Sequence, residues 1–247
     1  MEQIKKRITE YWTKRAPAFR ELRLRELESD KAERWIAEMK KYFPEKERLR
    51  VLDLGTGTGF FAFLLSHLGH AVIGIDLTEE MIREASRCAE ELGLNVTFRV
   101  MDAEQPEFPP ESFDVLVTRN LTWTLPHLES AYRAWYDLLT PGGVLINFDA
   151  DDGKALEKEE PEELPPEHAH KNIAPDMKKE NDEITMEIHH GQKDRPVWDA
   201  DLLLSAGFEI VTIDTGVWER IYREIDEFYN PVPIFTVAAR KGMKKLK

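Results

Sequence analysis

Residues 51–60 read Val51-Leu52-Asp53-Leu54-Gly55-Thr56-Gly57-Thr58-Gly59-Phe60. Four residues of a short buried strand run straight into a turn carrying three glycines, and the apolar stretch Phe60 to Leu68 then reads as a helix closed by Gly69. A strand feeding such a turn leaves main chain uncovered by side chains, so a ligand can approach the backbone closely. In an open α/β sheet that place is the carboxyl end of a strand, where connections diverge and ligands settle.

The pattern continues outward from the turn. Ala71 to Ile75 is a second strand, and Thr78 caps a helix carrying Met81, Ile82, Ala85, Ala89 and Leu92, ended by Gly93. Asn95 to Val100, Phe113 to Thr118 and Gly143 to Phe148 are further strands, with a helix over Leu128 to Leu139 stopped by Pro141-Gly142. Short apolar strands alternating with amphipathic helices predict βαβ units and a parallel sheet covered on both faces. Upstream, Ile4, Ile8, Tyr11, Trp12 and Arg15 share one helical face that Pro17 ends or kinks. A second helix starts near Ser29-Asp30, with Glu33 placed to reach back to its first amides and Pro44 as its stop. Downstream of Asp149, residues 150–197 are rich in acids and prolines, and only Ile184 to Ile188 resembles a strand, by alternation. Asp199 to Ala206 is then a helix, and Phe208 to Asp214 and Ile234 to Arg240 are strands.

The rest of the chain narrows the function classes. A formal net charge of −13 over 247 residues disfavours general nucleic-acid binding, which depends on lysine and arginine against phosphates. Lys241, Lys244, Lys245 and Lys247 make a small basic tail that reads as a solvated terminus. There is no apolar run of membrane-spanning length and no secretory signal behind Met1, and Cys88 is the single cysteine, so a cytoplasmic protein is expected.

The turn departs from the fingerprint of a dinucleotide enzyme. Gly55 and Gly57 match the first two positions of Gly-x-Gly-x-x-Gly, but Phe60 holds the third and an acid, Asp53, precedes the turn. Asp-x-Gly-x-Gly-x-Gly resembles motif I of class I S-adenosylmethionine-dependent methyltransferases, of the small-molecule, type 11-like kind. Gly74-Ile75-Asp76-Leu77, Met101-Asp102-Ala103, Phe113 to Thr118 and Leu139 to Leu145 resemble the motifs that follow, in the same order. The resemblance covers residues 48–148 densely. It implies a Rossmann-like doubly wound sheet of seven mostly parallel strands in the order 3-2-1-4-5-7-6. It divides the chain into an N-terminal helical cap (1–47), a core (48–149 and 198–247) and an acidic lid insertion (150–197).

Roles follow by the same resemblance. Gly55, Gly57 and Gly59, with Thr56 in the same turn, border the methionyl and ribose groups of S-adenosylmethionine, and Asp53 meets the methionyl ammonium. Asp76 holds the ribose hydroxyls and Asp102 the adenine amino group, with Ala103, Leu77 and Met81 along the ring. Tyr11, Trp12 and Arg15 resemble the Tyr-Trp-x-x-Arg-Ala helix that covers the cofactor in relatives. Asn120 and Asp149 are the candidates for catalytic groups, Asn120 beside the methionyl end and Asp149, with Asp151 and Asp152, on the active-site side of the sheet. Asp53 as a mere organiser of the turn, Met81 as plain core and Trp123 as packing rather than acceptor wall stay open.

The Asn/Asp-Pro-Pro-Tyr string of nucleobase and glutamine-amide methyltransferases is absent. Arg119-Asn120-Leu121-Thr122 stands in its place, which favours a small-molecule acceptor. Methyl transfer from a sulfonium requires reactants held in line and dry, an orientation worth ~7–11 kcal/mol of barrier, and a general base only where the acceptor must lose a proton. His168, His170, His189 and His190 have no diagnostic ligand spacing, and no metal is assigned. The acceptor's identity and the oligomeric state are not encoded in any motif. A non-catalytic module that senses the cofactor and a nicotinamide oxidoreductase remain as rival readings.

Overall fold

The computed structural model describes residues 2–151, 164–166, 168, 173–188 and 193–243. Ahead of the sheet stand α1 (Glu2–Leu27) and α2 (Lys31–Lys40). The quoted stretch becomes β1 (Arg50–Leu54) and α3 (Phe60–His67), followed by β2 (Ala71–Asp76), α4 (Glu79–Leu92), β3 (Val96–Val100) and β4 (Phe113–Arg119). Then come a single 3-10 turn (Thr122–Thr124), α5 (Leu128–Leu138), β5 (Leu139–Ala150), α6 (Pro175–Ile188), α7 (Val197–Ala206), β6 (Ile210–Asp214), α8 (Val217–Ile221) and β7 (Ile234–Arg240).

Among the described residues the strands form one seven-stranded sheet in the order β3-β2-β1-β4-β5-β7-β6. β1 to β5 are parallel, and β7 is antiparallel to both β5 and β6. The fold class and strand order expected from the resemblance are those of the structure. The chain winds outward from β1 to β3 and then returns to β4 on the other side of β1. The carboxyl ends of β1 and β4 therefore flank the switch point where such sheets open a crevice.

Strand periodicity divides the core into two layers. Val51, Val115, Val117, Ile146 and Phe148 point to the face covered by α2, α3 and α8, where Trp35, Met39, Phe61 and Leu65 fill the space. Leu52, Leu54, Leu116 and Leu145 point to the face covered by α5 and α7, against Tyr132, Trp135 and Leu203. Burial on both faces is why these strands read as unbroken apolar runs rather than as alternation.

Several sequence expectations are corrected. Pro17 does not end α1; the helix runs on to Leu27 with Pro17 on its exposed side. Proline costs the helix one amide donor, and the packing of Ala16 before it and of Leu22 and Glu26 beyond it offsets the loss. Ile184 to Ile188 is the last part of helix α6, not a strand. Its buried Ile184 and Ile188, one turn apart, meet Ile4, Ile8 and Tyr11 of α1, so a helical partner decided the period. Pro141-Gly142 does not stop α5, which ends at Leu138; the pair lies inside β5, where the pairing with β4 shifts register. At the start of α2 the Ser29 hydroxyl accepts the Lys31 amide (3.2 Å) and Asp30 makes no side-chain cap bond. At α4 the Thr78 side chain likewise makes no cap bond; the Thr78 amide goes instead to Asp76. The 3-10 turn and α8 were not anticipated. Among the described residues no helix is long and apolar enough to cross a membrane.

Candidate active site

The glycine turn is shaped from both sides by acids. The Thr56 amide donates to the Ile75 carbonyl (2.8 Å), which ties the turn to β2. Asp53 accepts the Thr56 hydroxyl (2.6 Å) and the Ala62 amide (3.1 Å) through one oxygen. Asp76 accepts the Gly57 amide (3.0 Å) on one oxygen and the Thr78 amide (2.8 Å) on the other. Gly55 and Gly57 take φ of 64° and 53°, a region that side chains disfavour. A Cβ on Gly55 would lie 2.7 Å from the Leu121 side chain, and one on Gly57 3.3 Å from the Phe19 ring. Glycine is required here by both torsion and space.

The turn opens into a cavity of about 820 Å³. Asp53, Gly55, Thr56 and Gly57 line it from the turn, and Asp76, Leu77 and Met81 from the β2–α4 connection. Asp102 and Ala103 line it after β3, Asn120 and Trp123 after β4, and Tyr11, Trp12 and Arg15 from α1. Two of the expected residues stand apart. Gly59 is not in the lining; it occupies the N-cap of α3 with φ 94°. Asp149 is not in the lining either. Its carboxylate accepts the Thr122 hydroxyl and the Trp123 amide (3.1 Å) and lies 3.5 Å from the Arg195 guanidinium, in a network shared with Asp199. Asp149 is fully buried and committed to joining β5 to the Thr122 turn and to Arg195. Asp151 lines the cavity, and Asp152 lies outside the described residues.

The electrostatics of the lining follow from burial. Asp53 is 2% exposed with no cation bonded to it among the described residues, and burial pushes its carboxyl up to about 7, partly opposed by its hydroxyl and amide donors. Burial also raises Asp76, again against its amide bonds. Asp102 is different: Lys5 pairs with it at 2.6 Å and also with Glu104, while the Glu104 amide donates to the other Asp102 oxygen (2.9 Å). Asn120 sits at φ 54° with its amide donating to the Phe148 carbonyl (2.8 Å), which turns the chain sharply out of β4 and into the cavity wall. Tyr11 and Trp12 meet edge to face at 5.1 Å, and Trp12 meets Phe19 at 5.6 Å, so α1 presents an aromatic surface over the turn. Of the lid histidines, His168 lines the cavity with its ring 2.7 Å from the Tyr229 carbonyl; His170, His189 and His190 lie outside the described residues.

Sequence reasoning missed a second group in the lining. Glu26, fully buried, receives Arg119 through two bonds (3.0 and 3.2 Å), Arg23 and the Trp35 indole N–H (3.1 Å). Arg119 also donates to the Tyr222 hydroxyl (3.1 Å) and lies over the Trp35 ring at 4.4 Å. Arg23, Arg119 and Tyr222 line the cavity. The signal existed: Phe19, Leu22, Arg23 and Glu26 share a helical face with Ala16 and Arg15. A proline that ends or kinks the helix at position 17 hides that continuity in the sequence.

Comparison with known proteins gives a consistent family. The family described as Methyltransferase domain matches residues 45–226. The chain is 33% identical over 100 residues to a ubiquinone biosynthesis O-methyltransferase of Agrobacterium fabrum, an alignment covering 40% of each protein. It is 38% identical over 107 residues to a phosphatidylethanolamine N-methyltransferase of Cereibacter sphaeroides, covering 42% of this chain and 52% of the relative. The chain thus matches about half or less of these curated relatives. In fold it is similar to Haemonchus contortus phosphoethanolamine N-methyltransferase 2, solved in complex with S-adenosyl-L-methionine. The TM-score is 0.58 at 19% identity, over 84% of this chain and 52% of that one.

Proposed function

Because the chain belongs to the methyltransferase-domain family, we propose that it transfers a methyl group from S-adenosylmethionine to a small-molecule acceptor. One observation carries the reading: a glycine-rich turn and two carboxylates that no cation bonds among the described residues, Asp53 and Asp76, share one cavity wall at the switch point. That donor set fits a nucleoside bearing a positive charge. A pyrophosphate would bring its anionic oxygens against these acids.

Asp76 spends one bond of each oxygen on the turn, and the remaining lone pairs would take the ribose hydroxyls. Asp53 would face the methionyl ammonium and Asp102 the adenine amino group, with Leu77, Met81 and Ala103 along the base. Gly55, Thr56 and Gly57 would bring main chain against the methionyl and ribose groups. Tyr11, Trp12 and Arg15 would close over the cofactor from α1, with α6 bound to the outer end of that helix. When bound, S-adenosylmethionine supplies a methyl group on a cationic sulfur, a good leaving group. The chain's own task is to orient and to exclude water. Asn120 and Trp123 border the acceptor's half of the cavity. Asp149 is spent on Thr122 and Arg195, so we assign it no proton transfer.

The test is transfer of labelled methyl from S-adenosylmethionine into a metabolite extract, beside calorimetric titration with S-adenosylhomocysteine and with NADH. The expected outcome is a labelled small molecule, binding of S-adenosylhomocysteine in preference to NADH, and loss of about 100-fold in affinity in Asp76→Ala, the scale of two hydrogen bonds to a charged group. Binding without any transfer would leave the sensing module as the better reading. Preference for NADH would refute the assignment.

A further inference from the structure

The Arg23–Glu26–Arg119 group carries one more positive charge than it neutralises. Among the described residues Glu26 is the one carboxylate that pairs with either guanidinium. Glu227, also in the lining, is taken by Arg25 at 2.8 Å. The surplus cation is held in aromatic surroundings: Arg23 lies 4.5 Å from the centre of the Phe19 ring, and Arg119 lies 5.1 Å from that of Phe60. Guanidinium groups carry five N–H donors each. Arg23 places one of them on Glu26, and the Nε–H of Arg119 is buried without an acceptor among the described residues. Burial, and after it the neighbouring Arg119 charge, pulls the proton affinity of Arg23 below its ordinary value, the mark of a cation short of counter-charge.

The sheet order sets this charge apart from the nucleoside acids. Asp76 ends β2 and Asp102 follows β3, on one side of β1, whereas Arg119 ends β4 on the other side. The nucleoside acids and the arginine pair are therefore separated by the glycine turn, and Arg119 adjoins Asn120 where the acceptor half begins. We propose that the methyl acceptor is a small anionic molecule whose carboxylate or phosphate monoester docks on Arg23 and Arg119, with its apolar body against Phe19 and Phe60. This rests on the methyltransferase reading above. Two guanidiniums side by side match the oxygens of either anion, and the aromatic walls strengthen the attraction by keeping water out.

The experiment is calorimetric titration of benzoate, phenyl phosphate and neutral benzyl alcohol into the full chain saturated with S-adenosylhomocysteine, repeated with Arg23→Gln. The expected result is binding of one or both anions, at least about tenfold tighter than benzyl alcohol. Arg23→Gln should then weaken the anion by about tenfold and leave S-adenosylhomocysteine within about twofold. The better of benzoate and phenyl phosphate identifies the carboxylate or the phosphate source. The proposal is overturned if benzyl alcohol binds as well as the anions, if neither anion binds, or if Arg23→Gln leaves anion affinity unchanged. It is also overturned if that variant weakens S-adenosylhomocysteine as much as the anion, since the arginines would then serve the cofactor. The wild-type comparison of charged with neutral probes decides the matter even where the variant does not fold. Failure of the wild-type chain to bind S-adenosylhomocysteine at all would instead strike the methyltransferase reading itself.

Discussion

Glu26, on α1, and Asp53, at the end of β1, are both shut off from solvent beside the same cavity, yet their charges are governed in opposite ways. Two arginines surround Glu26 and hold its carboxyl down at about 2 in spite of burial. Among the described residues Asp53 is bonded by a hydroxyl and an amide and has the Asp76 charge nearby, so burial prevails and its carboxyl rises to about 7. A buried carboxylate that already has its cations is structural mortar. One without them keeps its electrostatic capacity for a cation that arrives with a ligand. Partners also separate Asp76 from Asp149, although burial raises both carboxyls: the first has amide partners and lines the cavity, whereas the second lies beside Arg195 outside the lining.

The largest effect that could break this comparison lies at Glu26. Glu26→Gln leaves two guanidiniums buried together without a carboxylate and is expected to cost about 3–5 kcal/mol of folding stability, the usual scale for removing one partner of a buried ion pair. Urea denaturation at neutral pH measures it. A loss below about 1 kcal/mol would mean that Glu26 is not the neutralising centre. Next in size is the turn that Asp53 shapes. Gly57→Ala forces a side chain into positive φ and against Phe19, and should destabilise the fold by about 1–2 kcal/mol. It should also weaken S-adenosylhomocysteine more than it lowers the melting temperature predicts; equal affinity in the variant would show that no ligand approaches the turn.

The smallest effect is also the most specific. If the ligand's ammonium needs Asp53 ionised, affinity for S-adenosylhomocysteine should rise about tenfold from about pH 6 to about pH 8, as a group titrating near 7 loses its proton. The slope should vanish in Asp53→Asn. Linkage gives the two acids opposite signs in stability as well. Asp53 has a folded value above its ordinary 3.8, so its contribution is complete below 3.8 and is lost as pH rises through about 7. Glu26 has a folded value below its ordinary 4.5, so its contribution is complete above 4.5 and is lost as pH falls towards about 2.

Legibility in the sequence tracked how local the cause was. The strand–glycine–helix stretch at 51–60, the acid ending β2 and the small residue after Asp102 each lie within one turn or one strand end, and the cavity gathers them together. Reading failed where a distant partner set the outcome. The alternation at Ile184 to Ile188 suits a strand until α1 offers its Ile4–Ile8–Tyr11 face, after which the four-residue spacing counts. Pro17 is a helix breaker by its own chemistry, and only packing on both sides carries α1 through it. Asp149 stands where a catalytic acid would, and nothing local reveals that Arg195, 46 positions further on, lies beside it in one buried network.

The amino-acid sequence alone determined the alternating α/β architecture, the order of its motifs and the acids that border the cavity, because hydrophobic period, glycine torsions and strand ends are properties of short segments. Tertiary structure alone decided which charges are available. Glu26, Arg23 and Arg119 come from α1 and β4, 93 residues apart in the case of Glu26 and Arg119. Whether a buried charge is matched depends on every group within a few ångströms of it, a sum that no stretch of chain contains.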